Sequence, residues 1–154
     1  MNGFKVLSIA IVASTAFAGV ASAATLTTSG TIAPVCKVDM TARSFDPSHQ
    51  TLQNIAGVLV TCNKAGNKAI TVDASNGYFA GPSASQVHYN LTLDLDGNLL
   101  PFNNVNMTSA AITSGIGAPD ATVANGLPGN FSVTLQSLPF LAGTYSESWD
   151  VTVG

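Results

Sequence analysis

From Val87 to Leu95 the chain reads Val-His-Tyr-Asn-Leu-Thr-Leu-Asp-Leu, apolar at every odd position and polar at every even one. Successive side chains of a strand point to opposite faces, so this stretch specifies a strand with one dry face and one wet face. The same period recurs along the chain. Cys36, Val38 and Met40 alternate with Lys37, Asp39 and Thr41, and Phe131, Val133 and Leu135 alternate with Ser132, Thr134 and Gln136. Tyr145, Trp149, Val151 and Val153 alternate with Ser146, Ser148, Asp150 and Thr152, with Glu147 breaking the inward row. Ile55 to Cys62 is apolar nearly throughout and suits a central strand, and Ala69 to Asp73 returns after the turn Asn63-Lys64-Ala65-Gly66-Asn67. Helical spacing is weak, with at most a short turn near Asp120 to Ala124. About seven short strands separated by turn residues predict an all-β fold, an antiparallel β-sandwich.

Composition fits that reading. Only 8% of the 154 residues are charged, so the wet faces are built from Thr, Ser and Asn. A net charge of -3 without any run of like charge excludes the electrostatic footprint of a nucleic-acid binder and leaves no polybasic handle for a membrane. Met1 to Ala23 has the build of a secretory signal peptide. Lys5 is the positive start, Val6 to Val20 the apolar stretch, and Ala21-Ser22-Ala23 the small residues before a cut. That apolar stretch is short for a membrane span, which needs about 20 residues. Residues 24–154 are then the exported part.

Export changes how the cysteines read. Cys36 and Cys62 are the two in the chain, and an oxidising compartment favours a disulfide between them. Closing a loop of about 27 residues is worth about 3–4 kcal/mol in the loop-entropy model. A metal would need further ligands, and neither His49 nor His88 has a ligand spacing to the cysteines.

One segment is left over. Ala24 to Ala33, ATLTTSGTIA, also alternates, with Leu26, Thr28, Gly30 and Ile32 on one face, and Pro34 separates it from the next strand. It reads as an ordinary first strand of the same domain or a frayed terminus. Composition does not choose.

The sequence resembles pilin subunits of the chaperone–usher pathway, in particular the archaic branch that includes the spore coat U-like domain. The resemblance is carried by the leader running into TSGTIAPVCKVD (Thr28 to Asp39), GVLVTCNK (Gly57 to Lys64), VHYNLTLDLDGNLL (Val87 to Leu100), and the ending Gly143-Thr144-Tyr145-Ser146-Glu147-Ser148-Trp149-Asp150-Val151-Thr152-Val153. That ending is similar to the family's Gly-x-Tyr-x-Asp-(Ser/Thr)-x-x-Val-Thr-Val terminus, with Glu147 in place of the usual Asp. The resemblance implies an immunoglobulin-like sandwich lacking one strand, with residues 35–154 as the domain and residues 24–34 as a donor strand. The gap would be filled first by a periplasmic chaperone, then by the arm of a sibling subunit at an outer-membrane usher. It implies Leu26, Thr28, Gly30 and Ile32 as donor residues, Leu26 and Ile32 contributing about 1.5–3 kcal/mol each on burial. Val38 and Met40 would line one wall of the acceptor groove, and Trp149, Val151 and Val153 the other. Trp149 reads equally well as a plain core residue. Head-to-tail donation does not close, so it yields a fibre at the cell surface without cofactor or nucleotide.

Chemistry-bearing patterns are sparse. Asp46-Pro47-Ser48-His49 has no nucleophile elbow and reads as a turn, and Asp94-Leu95-Asp96-Gly97-Asn98 lacks the closing Glu of a calcium loop. No catalytic or metal residue is assigned. Asn103 to Pro128 is the least periodic stretch and reads as long loops with a short strand near Ile112. The reading of another class is a monomeric secreted binding module, an adhesin or carbohydrate-binding sandwich that is complete by itself; a secreted enzyme ranks third.

Overall fold

A computed structural model of the chain describes residues 29–96 and 99–154. The leader and Leu26 and Thr28 lie outside the described residues. Ile32–Gly154 forms one compact body.

The body is a sandwich of antiparallel sheets. Its strands are β1 (Cys36–Ala42), β2 (Gln53–Cys62), β3 (Lys68–Ala74), β4 (Tyr78–Ala80), β5 (Gln86–Leu95), β6 (Leu99–Asn106), β7 (Ile112–Ile116), β8 (Leu127–Leu135) and β9 (Trp149–Val153). Among the described residues one short α-helix, α1 (Asp120–Asn125), precedes β8. The larger sheet runs β1-β2-β8-β5-β4, with β6 also paired to β5, and the smaller runs β7-β3-β9. The inner faces meet in one core that includes Val60, Tyr89, Leu91, Leu93, Phe131 and Val133 from the larger sheet and Ile70 and Val72 from the smaller. β5 follows its sequence pattern: Val87, Tyr89, Leu91, Leu93 and Leu95 are all buried. β2 is apolar on both faces because α1 packs across its outside, where Gly126 approaches the Leu59 side chain.

Several elements differ from the sequence expectation. Asn103 to Pro128 is mostly ordered. β6 continues through Pro101 to Asn106, and Asn125 ends a true helical turn. Pro101 is tolerated because β6 pairs on one side alone, with β5. Asn104 takes φ of 53° and the register against β5 shifts twice, so Phe102, Val105 and Met107 turn inward at irregular spacing. That irregularity hides the strand from a period-two reading. β4 carries Phe79 into the core but is too short to show a period. At the C-terminus the ladder is confined to Trp149–Val153, while Ser146 makes an isolated bridge to Ala80. Of the N-terminal segment, Ser29 to Val35 forms no strand, and the residues before Ser29 lie outside the described residues.

Candidate functional site: the seam between β1 and β9

Among the described residues β1 pairs only with β2, and β9 only with β3. Each therefore leaves one edge unpaired. The two strands approach one another along one side of the sandwich, while β6 and β7 approach along the other. Registers fix which side chains enter the space between them. Val38 and Met40 lie opposite Val60 and Val58, and Val151 and Val153 lie opposite Val72 and Ile70. The inner partners are fully or almost fully buried. The edge residues are not: Val38, Val151 and Val153 are half-buried, and Met40 is 39% exposed. Two unpaired backbone edges thus flank an apolar strip that the body covers incompletely.

Cys36 and Cys62 stand directly opposite and are joined by a disulfide, which ties the start of β1 to the end of β2. Trp149 belongs to the core as much as to the strip. It meets Phe79, Tyr89 and Phe131 edge-on at centroid distances of 5.5–5.9 Å, and its indole Nε1–H donates to the Tyr89 hydroxyl at 2.6 Å. Burial pushes the Tyr89 phenol well above its ordinary range, which keeps it neutral. The expected wall residues are therefore brought together, with Trp149 as the anchor and Val38, Met40, Val151 and Val153 as the open surface. Of the expected donor residues, Gly30 is exposed and Ile32 is 85% exposed.

Two residues that shape this region escape the sequence reading. Phe45 enters the core from the β1–β2 connection and stacks on Phe79 at 4.4 Å; a lone aromatic in a polar loop gives no period to read. Glu147, which breaks the inward row, is half-buried and accepts from the backbone N–H groups of Tyr78 (3.0 Å), Asn76 (3.2 Å) and Ser148 (2.8 Å). It fastens the approach to β9 onto β4.

The remaining polar groups close local structure. Ser48 Oγ donates to Asp46 Oδ1 at 2.7 Å and meets His49 Nδ1 at 3.0 Å, while that same Nδ1 faces the other Asp46 oxygen. The carboxylate holds the serine directly, so the imidazole does not relay between them, and the three close a turn. Those bonds from Ser48 lower the Asp46 carboxyl pKa. His88 is exposed and edge-on to Tyr78. Leu95 pairs with Leu99, which makes β5 and β6 antiparallel neighbours to their adjoining ends. No group of three or more His, Cys, Asp or Glu side chains that could hold a metal occurs among the described residues, and none of their helices is long and apolar enough to cross a membrane.

Comparison with known proteins gives no match: no family model fits the chain, and no curated protein or solved structure is significantly similar to it.

Proposed function

We propose that the chain is a structural subunit of a surface fimbria or coat-like fibre, assembled by donor-strand exchange and serving adhesion or biofilm formation. On this reading the sandwich is immunoglobulin-like and one strand short. Residues 1–23 direct export and are removed. A periplasmic chaperone first occupies the seam, and at an outer-membrane usher the arm of a sibling subunit replaces it. The work done is mechanical and adhesive, without catalysis, cofactor or nucleic acid.

The observation that carries the reading is the pair of unpaired edges, β1 and β9, flanking one apolar strip on the same side of the body. An added strand would satisfy backbone N–H and C=O groups on both edges and cover Val38, Met40, Val151 and Val153. The arm offers what such a strand needs. It alternates, carries Leu26 and Ile32 as its bulky residues, and in its described part makes no strand of its own. Each subunit would give one arm and receive one, a heterologous contact that propagates.

The test removes residues 24–33 and follows assembly in the native host by unboiled detergent gels. The full chain is expected to give a ladder of multimers that boiling collapses, and the shortened chain none. A ladder that survives the deletion contradicts the donor role. A single monomer band from the full chain favours the self-complete binding module.

A further inference from the structure

We infer that the junction Ala33–Cys36 commits the arm to a second copy of the chain and denies it its own seam, with Asn63 as the positioning residue and Pro34 blocking the alternative. This rests on the fibre reading above. A tethered segment has an effective concentration of order millimolar at its own body, so self-closure would outrun exchange unless something prevented it.

To lie along its own β1, the arm must run antiparallel to that strand and reverse at Pro34–Val35. Tight hairpin turns of two residues are types I′ and II′, and both need positive φ at the first central residue. Pro34 would occupy that position with φ locked at about -65°, so neither turn forms. A longer turn through Gly30–Ile32 would spend two of the four donor side chains on the loop.

Asn63 holds the junction in the opposite sense. Its backbone N–H donates to Val35 O at 3.1 Å, its Oδ1 accepts from the Val35 N–H at 2.5 Å, and its Nδ2 donates to Ala33 O at 3.2 Å. The side-chain amide therefore stands in for the next backbone partner of β2. It carries the β1–β2 pairing past the Cys36–Cys62 bond as far as Ala33. Ala33 to Val35 prolong the line of β1 and do not fold back across it. Ile32 and Val35 are left 85% and 61% exposed, which suits residues presented to another molecule.

The experiment uses the full chain in its host, read by unboiled detergent gels and by uptake of a labelled synthetic peptide of residues 24–33. Asn63→Ala removes the two side-chain bonds and is expected to lower the ratio of multimer to monomer about tenfold, as two bonds of ordinary net strength imply. Asn63→Asp keeps an acceptor for the Val35 N–H and should fall between. Adding an Asn-Gly turn, Pro34→Asn with Val35→Gly, to Asn63→Ala is expected to give a compact monomer that resists detergent until boiled and refuses the peptide. Wild-type ladders in these variants, or monomers that take up the peptide, would overturn the inference while leaving the fibre reading standing. A wild-type chain with neither ladder nor peptide uptake overturns both. Should the variants fail to accumulate, hydrogen exchange on the wild-type chain decides: the Val35 amide is expected to exchange slowly, and exchange at the rate of an unstructured peptide contradicts the clamp.

Discussion

Tyr89 and Trp149 show how one hydrogen bond sets the role of a residue. The indole N–H points into the core and finds its acceptor in a fully buried hydroxyl. Tyr89→Phe keeps the ring but strands that donor, and is expected to cost about 1–3 kcal/mol in denaturant unfolding. Because burial raises the folded phenol's pKa, the unfolded chain loses its proton first; stability is expected to decline as pH rises above the ordinary value of 10.0, and Tyr89→Phe should flatten that limb. At the acid end, Asp120 is held below its usual 3.8, first by its bond from the buried Lys68 ammonium and then by the Gly66 N–H. Its contribution is present above that value and is lost as pH falls below it. Thermal melts of Asp120→Asn should therefore lack part of the acid decline seen in the wild type, and an unchanged profile would argue that the pair does not hold α1 in solution. Glu147 is the third case. Glu147→Ala leaves the Tyr78 N–H without its acceptor and is expected to lower the melting temperature by loosening the approach to β9.

At the scale of elements, the sequence is legible where a strand is long, regular and wet on one face. β5 meets all three conditions, and β1 and β9 nearly do, so Val38, Met40, Trp149, Val151 and Val153 could be placed on the inward faces of their strands from alternation alone. It is opaque where the backbone departs from the pleat. The left-handed Asn104 and the register shifts of β6 move inward positions off the period, and β4 holds Phe79 in too few residues to show one. Asn63 was legible only as a turn residue, because its part in pairing the arm depends on where β1 begins. Two expected outcomes belong to this scale. Reducing the Cys36–Cys62 bond should cost about 3 kcal/mol and free β1, an edge strand held on one side alone. Met40→Glu alters a side chain already 39% exposed; it should leave stability within about 1 kcal/mol yet weaken capture of the peptide of residues 24–33. Equal capture by the two chains would place that peptide elsewhere.

The whole molecule is a sandwich whose sheets approach along two sides, β6 beside β7 and β1 beside β9, and among the described residues β1 and β9 each leave one edge unpaired. Apolar side chains on the arm and apolar side chains in the seam are complementary in kind, and the proposal gives the junction at Pro34 and Asn63 the task of directing the arm to another copy. On this account a lone subunit is unfinished and a chain of subunits is not. The most direct measurement is thermal unfolding of the purified single chain with and without a synthetic peptide of residues 24–33, followed by the emission of Trp149, the only tryptophan. The free chain should melt low or aggregate, and the peptide should raise the midpoint in a concentration-dependent way and shift the emission to shorter wavelength. A solitary monomer that is stable, soluble and indifferent to the peptide would contradict the central claim.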